Sequence, residues 1–104
     1  MAEDTLAQLA AIIRQRREAS ADSSYTRTLL DAGPAYCARK MGEEAVETVI
    51  AALHDSDDAL KLEAADLLYH LLVLLEVREI PYDDVMSVLA DRMATPPPGS
   101  GASN

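Results

Sequence analysis

The sequence predicts an all-α fold of four packed helices in one domain. Hydrophobic residues make up 49% of the 104 residues, yet the chain contains no Trp and no Phe. The core must therefore be built from aliphatic side chains, which suit packed helices better than sheets. Apolar residues recur at helical spacing in four segments. A domain of this length buries limited surface by itself, so we expect it to oligomerise.

The first predicted helix runs from about Thr5 to Ala19. Thr5 and the glutamine three residues later match a capping box, and apolar residues follow at helical spacing. For residues 20–34, the sequence predicts a loop that contains one or two helical turns around residues 26–30. The Gly33-Pro34 pair closes this loop, because glycine followed by proline breaks regular structure.

The second and third predicted helices form the apolar centre of the chain. The second helix starts at Pro34, whose missing N–H costs nothing in a first turn, and its helical period continues to about His54. A polar cluster ends it, and Ser56 or Asp57 caps the third helix. The third helix runs to about Glu79, because nothing before the next proline interrupts it.

A shorter fourth helix is predicted from about Asp83 to Met93, with its apolar residues on one side. Residues 1–94 therefore form one predicted domain. Residues 95–104, TPPPGSGASN, have the composition of a disordered tail, to which we assign no function.

Charge and composition exclude several classes of protein. The net charge of -9 argues against nonspecific binding to nucleic acid or to an anionic membrane, since both need a basic surface. The longest apolar run, residues 67–75, is far shorter than the about 20 residues that span a bilayer. The amino terminus lacks a basic leader followed by an apolar core, and the single Cys37 cannot form an internal disulfide. We therefore expect a cytoplasmic protein.

Two pairs of acidic residues lie inside this apolar region. Residues three or four apart share one face of a helix, so Glu43 or Glu44 projects together with Glu47 from the second predicted helix. Glu63 and Asp66 do the same on the third, with His70 one turn further on. The short connection favours antiparallel packing of these helices. The four carboxylates would then meet in one small volume.

Crowded, partly buried carboxylates must be protonated, paired with bases or bound to cations. Lys40 and Lys61 are the only nearby bases on these two helices. Oxygen ligands without cysteine favour a hard ion, Mg²⁺ or alternatively Mn²⁺. The pattern alone leaves open that these acids are ordinary solvated side chains or ion-pair partners. It also leaves open that His70 is a core histidine.

The sequence around the acidic pairs resembles that of a known superfamily. GEEAVETVIAA followed by EAADLLYHLLVLL resembles the E-x-x-E then E-x-x-D signature of the all-α nucleoside triphosphate pyrophosphohydrolases, which include MazG-like enzymes. Within that superfamily, residues 5–92 are most similar to the phosphoribosyl-ATP pyrophosphatase family of histidine biosynthesis, through SYTRTLL and ADLLYHLLVLL. The resemblance implies a four-helix-type bundle of the all-α pyrophosphatase kind, completed by homodimerisation.

The resemblance also implies a reaction, the Mg²⁺-dependent hydrolysis of 1-(5-phosphoribosyl)-ATP to 1-(5-phosphoribosyl)-AMP and pyrophosphate. The positions that match the signature, and so are expected to bind the metal, are Glu44, Glu47, Glu63 and Asp66. One of these, or Glu43 beside them, is expected to orient or deprotonate the attacking water.

Other residues are candidates for holding the substrate. We expect Lys40 and Arg27 to contact phosphates, and Tyr25, Thr26 and His70 to help bind the rest of the molecule. The chain is too short to contain the cyclohydrolase of the next step, so a separate protein is expected to take the product.

Two alternatives remain open from the sequence. One is a MazG-like housecleaning enzyme with the same metal site but a different nucleotide substrate. The other is a helical dimer without catalytic activity, whose acids bind a structural cation or a protein partner.

Overall fold

The computed structural model describes residues 4–18 and 24–95, and all regular structure in these residues is helical. This confirms the predicted all-α class. Five α-helices and one 3₁₀ turn follow in the order α1 Thr5–Gln15, the 3₁₀ turn Arg16–Glu18, α2 Tyr25–Ala32, α3 Pro34–His54, α4 Asp57–Val77 and α5 Tyr82–Ala94. Almost all of the predicted tail, from residue 96 onwards, lies outside the described residues.

Helix α1 starts at Thr5 as predicted, but its N-cap and its end differ from the prediction. Asp4, not Thr5, is its N-cap, because Asp4 has an extended backbone and its carboxylate accepts a hydrogen bond from the Leu6 N–H at 3.0 Å. The α-helix ends at Gln15 and tightens into the 3₁₀ turn. In that turn the Arg17 guanidinium donates to the carboxylate and the main-chain carbonyl of Glu76. This contact joins the 3₁₀ turn to α4. Ala19, the predicted end of the first helix, lies outside the described residues.

Helix α2 lies where the sequence predicts a loop with one or two helical turns, and it is eight residues long. The Ser24 side chain caps it by accepting from the Arg27 N–H at 3.1 Å. Leu29 is fully buried, so the helix is held by packing as well as by its cap. Gly33 ends it with a φ of 95°, a value that favours glycine because other residues place a Cβ in collision there. The eight-residue helix therefore packs one face into the core.

Helices α3 and α4 form the centre of the fold as a helical hairpin joined by two residues. The bounds of α3 and the Ser56 cap of α4, which accepts from the Ala59 N–H at 3.1 Å, agree with the prediction. Helix α4 ends at Val77, two residues before the predicted end. The hydrophobic core takes side chains from four helices, namely Ile13, Leu29, Cys37, Leu72 and Val73. None of the described helices combines the length and hydropathy needed to cross a bilayer.

An exposed apolar surface follows the side of α3 that faces away from α4. Four residues at helical spacing form it, and we call them the outer stripe: Val46, Val49, Ile50 and Leu53. Between 44% and 71% of each side chain is exposed to solvent. A continuous apolar stripe of this kind is typical of a surface that another helix covers.

Glu79 lies in a conformation that favours glycine. Its φ is 60°, and the Glu79 and Ile80 N–H groups bond back to the carbonyls of Glu76 and Leu75 in a Schellman motif that ends α4. A residue with a Cβ loses about 1 kcal/mol or more at such a φ. Replacing Glu79 by glycine should therefore raise the free energy of unfolding by about 0.5–1 kcal/mol, because the flexibility of glycine in the unfolded chain offsets part of the gain.

Thermal unfolding followed by circular dichroism would measure this stabilisation. Glu79→Ala is the matched control, because it also removes the carboxylate but keeps the Cβ. An equal rise in both variants would contradict the conformational explanation.

A hydrogen bond joins the start of α5 to the cap of α1. The Tyr82 hydroxyl donates to Asp4 Oδ2 at 2.5 Å, which raises the pKa of Tyr82 to about 12 and lowers the pKa of Asp4 from its usual 3.8. The lowered pKa of Asp4 means that its stabilising contribution is present above pH 3.8 and is lost as the pH falls through the lowered value. The raised pKa of Tyr82 gives a contribution that is present below pH 10 and is lost as the pH rises through about 12.

Replacing Tyr82 by phenylalanine should therefore lower the melting temperature by a few degrees at pH 7. The difference in melting temperature between the variant and wild type should shrink as the pH falls from 3.8 through the lowered pKa of Asp4, because Asp4 then becomes protonated. Melting curves of both proteins over this pH range test the prediction. A difference that does not change with pH would show that the hydroxyl acts without Asp4.

Candidate functional site

Three carboxylates from α3 and α4 meet at the contact between the two helices. Glu44, Glu63 and Asp66 each offer one carboxylate oxygen, and these oxygens all lie within 4.8 Å of one another. We call them the carboxylate cluster. Glu63 and Asp66 are three residues apart on α4 and so share a face, while Glu44 reaches them from α3. Glu44 and Glu63 are half-buried, and Asp66 is exposed.

Glu47 lies beside the carboxylate cluster, although its carboxylate is not one of the three. The pKa of Glu63 is raised, first because partial burial removes water and then because of the negative charges of Glu47 and Glu44, followed by Asp66. The structure thus brings the four predicted carboxylates into one electrostatic environment. Their mutual repulsion favours any ligand that brings positive charge.

The chemistry of this donor set fits a hard divalent cation. The cluster consists of carboxylate oxygens, with neither a thiolate nor an imidazole nitrogen among its three members. Among the described residues, the nearby base Lys40 forms its ion pair with Glu43 and not with a member of the cluster. Glu44, Glu63 and Asp66 are therefore the residues that could hold a metal ion, with Glu47 as a fourth oxygen donor.

Glu43 points to a different partner from its neighbour Glu44. Its carboxylate lies 3.6 Å from Lys40 Nζ and 3.8 Å from Arg39 Nε, and it is exposed. Lys40 is half-buried, and its pKa is raised by the charge of ionised Tyr25 first and by Glu43 as well. The predicted phosphate contact Lys40 thus lies near both Glu43 in the middle of α3 and Tyr25 at the start of α2.

A cluster of rings lies one turn along α4 from the carboxylates. The Tyr25 and Tyr69 rings stack with centroids 6.4 Å apart, and His70 meets both edge-on, at 5.0 Å from Tyr69 and 6.4 Å from Tyr25. Thr26 and Tyr69 share a hydrogen bond between their hydroxyl groups. The pKa of Tyr69 is raised, chiefly by burial. The predicted residues Tyr25, Thr26 and His70 therefore lie together, around a tyrosine that the sequence analysis did not identify.

His70 links the rings to the carboxylate cluster. It is buried, and its Nδ1 donates to the main-chain carbonyl of Asp66 at 2.8 Å, since a carbonyl can only accept. Its Nε2 is buried without a hydrogen-bond partner among the described residues. His70 is thus buried, as expected for a core histidine. Only one of its two ring nitrogens is hydrogen-bonded within the described part of the chain.

Comparison with known proteins places the chain in a family. The sequence model of the phosphoribosyl-ATP pyrophosphohydrolase family matches residues 6–93. The chain belongs to this family. It is 54% identical over 90 residues to the phosphoribosyl-ATP pyrophosphatase of Nitrobacter winogradskyi, covering 86% of this chain and 78% of the relative. It is 51% identical over 94 residues to the protein of the same name from Azorhizobium caulinodans, with 88% and 86% of the two chains covered.

Membership of the phosphoribosyl-ATP pyrophosphohydrolase family confirms the resemblance seen in the sequence and makes the chain a hydrolase. A third relative, from Agrobacterium fabrum, carries the same name and is 50% identical over 92 residues, which cover 88% of this chain and 86% of the relative. The matched residues 6–93 include all of the carboxylate cluster and the ring cluster.

Arg27, a predicted phosphate contact, is held by two other groups. Its Nε is 3.0 Å from Asp31 Oδ1, and its Nη1 donates to the main-chain carbonyl of Arg17 at 2.8 Å. Arg27 therefore holds α2 against the 3₁₀ turn.

A cavity of about 410 Å³ lies at the other end of α4, lined by Arg14, Arg17, Glu76 and Ile80 among others. Its lining carries two arginines and three glutamates, and Arg17 forms an ion pair with Glu76. The lining therefore has no excess of positive charge with which to bind a polyphosphate. In this family member the carboxylate cluster is the better candidate for the chemistry.

Proposed function

We propose that this chain hydrolyses 1-(5-phosphoribosyl)-ATP to 1-(5-phosphoribosyl)-AMP and pyrophosphate in a Mg²⁺-dependent reaction, the second step of L-histidine biosynthesis. The observation that carries the proposal is the carboxylate cluster, formed between α3 and α4 in a member of the phosphoribosyl-ATP pyrophosphohydrolase family. Relatives at about 50% identity carry the matching name. The cluster supplies the oxygen ligands that a metal-assisted attack on a triphosphate needs.

Glu44, Glu63 and Asp66 are the proposed metal ligands, with Glu47 completing the set. Mg²⁺ is the proposed ion, and Mn²⁺ is a suitable substitute because it accepts the same oxygen ligands. A divalent ion bound there lowers the pKa of a bound water and offsets charge on the phosphoryl oxygens.

Glu47 and Glu43 are the two candidates for orienting or deprotonating the attacking water. Glu43 is paired with Lys40 and Arg39, so its carboxylate is held by these bases and is not a member of the carboxylate cluster. Glu47 is exposed and lies close enough to raise the pKa of Glu63, so we favour Glu47 for this role. Glu44, Glu63 and Asp66 would be the principal ligands of the metal, and Glu47 would contact both the metal and the water.

The neighbouring residues are suited to the rest of the substrate. Lys40 offers a positive charge beside the cluster and is proposed to contact the phosphates, with Arg27 as a second candidate. Tyr25 and His70, packed with Tyr69, offer ring surfaces for the base or the ribose, and Thr26 holds the Tyr69 hydroxyl in place. The substrate would thus lie along α4, with its triphosphate at the carboxylates and its base at the rings.

The outer stripe is the proposed homodimer interface, because it is a continuous apolar surface on the most central helix pair. We further propose that the protein acts in the cytoplasm, and that a separate cyclohydrolase takes its product. Its charge of -9 favours neither nucleic acid nor anionic membrane as a partner.

Pyrophosphate release from purified protein tests the proposal, with phosphoribosyl-ATP or a panel of ordinary nucleoside triphosphates, each with and without Mg²⁺. We expect release from phosphoribosyl-ATP alone, and only with the metal present. Release mainly from an ordinary triphosphate would instead support the MazG-like alternative. Release from none of them would favour the non-catalytic helical dimer.

A further inference from the structure

We propose that Thr48 is a positioning residue that fixes the spacing of the two helices carrying the carboxylate cluster. This inference rests on the proposed metal site. The Thr48 hydroxyl lies 2.8 Å from the main-chain carbonyl oxygen of Glu44 and 3.2 Å from that of Glu63. These two residues are the members of the cluster that face each other across α3 and α4.

The two bonds of the Thr48 hydroxyl have different consequences. The bond to Glu44 lies within α3 and is the ordinary contact of a threonine with the carbonyl one turn earlier. The bond to Glu63 crosses to α4 and connects the backbones of the two helices. Both partners are acceptors, so the single hydroxyl proton is shared between them. Because Thr48 is half-buried, water competes less well for this proton.

A neutral bridge suits this location because the nearby charges push the helices apart. Glu44 on α3 faces Glu63 and Asp66 on α4, so like charges oppose one another across the helix contact. A hydroxyl group resists this separation without adding charge. A metal site needs its donors within a few tenths of an ångström of the right distance, so a small separation of α3 from α4 would weaken binding.

Thr28 provides a matched control within the same chain. Its hydroxyl donates to the Ser24 carbonyl at 3.2 Å, which is the same one-turn contact, here within α2 and its cap. Thr28 is exposed and is not among the proposed site residues. Replacing it by valine removes a helical hydroxyl bond of the same kind, with no effect expected at the carboxylates.

The test measures the binding of Mn²⁺ to the substrate-free protein. The electron paramagnetic resonance signal of the free ion gives the concentration of unbound Mn²⁺. Thr48→Val keeps the shape of the side chain but removes the hydroxyl, and we expect its Kd for Mn²⁺ to rise by about tenfold, as for the loss of other groups that orient metal ligands. Thr48→Ser restores the hydroxyl and should bind within about twofold of wild type. Thr28→Val should match wild type.

Three outcomes would overturn the proposal. Wild-type affinity in Thr48→Val would show that the hydroxyl does not position the cluster, whatever the change in melting temperature. Equal weakening in Thr48→Ser, which keeps the hydroxyl, and in Thr48→Val would show that the site responds to any change at position 48 and not to the loss of the hydroxyl. No Mn²⁺ binding by the wild type would remove the metal site itself and, with it, the role of Thr48. If Thr48→Val loses its helical circular dichroism, Thr48→Ala replaces it in the same comparison.

Discussion

Replacing Glu63 by glutamine should reduce the turnover of phosphoribosyl-ATP by about a thousandfold or more. Glu63 is the member of the carboxylate cluster whose pKa is raised, first by partial burial and then by acidic neighbours that include Glu47 and Glu44. The amide keeps the size of the side chain but removes the negative charge that a metal ligand needs. If the proposed ion no longer binds, both the activation of water and the stabilisation of charge on the phosphoryl oxygens would be lost. Steady-state pyrophosphate release measures the effect.

The same substitution should leave the metal-free protein at least as stable as wild type. A raised pKa means that the folded state favours the neutral form of Glu63, so its charge at pH 7 opposes folding. The neutral amide relieves this repulsion, and the melting temperature without metal should be equal or higher. A loss of activity together with unchanged or greater stability distinguishes a functional carboxylate from a structural one.

Asp58→Asn is the matched control, because Asp58 is an exposed acid on the same helix, 3.6 Å from Lys61. It should retain wild-type turnover. The amide variants of the other three acids, Glu44→Gln, Glu47→Gln and Asp66→Asn, should lose activity as Glu63→Gln does, with helicity unchanged. Unchanged activity in all four variants would refute the site assignment.

Introducing a charge into the outer stripe should separate the proposed dimer into monomers. Val49 is 57% exposed in the isolated chain, so Val49→Asp should fold normally as a monomer. In a dimer that covers the stripe, the new carboxylate would be buried without a partner, which costs several kcal/mol. We expect the dimer Kd to rise by at least about a hundredfold.

Sedimentation velocity at micromolar protein concentration would follow the change in mass. Val88→Asp is the control, because Val88 is 49% exposed on α5, outside the outer stripe. It should sediment like wild type. A wild type that is monomeric, or a Val49→Asp variant that remains dimeric, would exclude the outer stripe as the interface.

The long helices could be predicted from the sequence because several local signals agree there. Pro34 at the start of α3, Ser56 as the cap of α4 and an unbroken apolar period place both elements. Helix α2 is longer than the one or two turns predicted around residues 26–30, where its apolar stretch is short. Its stability depends on the burial of Leu29 against other helices, which a local pattern does not contain.

The sequence predicts which helix faces form the candidate site, but not which individual side chains meet there. Spacing alone grouped the acids of α3 with those of α4, but it did not separate Glu43 from Glu44, which are adjacent in sequence. The structure turns Glu44 towards α4 and Glu43 towards Lys40. Thr48 was missed because its second partner, the Glu63 carbonyl, depends on the register between two helices. That register follows from side-chain packing over their whole length.

The environment of Cys37 makes the chain suitable for thiol labelling. Its side chain is buried, its S–H donates to the Leu29 carbonyl at 3.1 Å, and burial raises its pKa. Thiol reagents attack the exposed thiolate, so they should react with Cys37 only when α3 separates from α2. The rate of that reaction would report how often the native protein opens, and a cysteine introduced on the surface could be modified selectively without first removing Cys37.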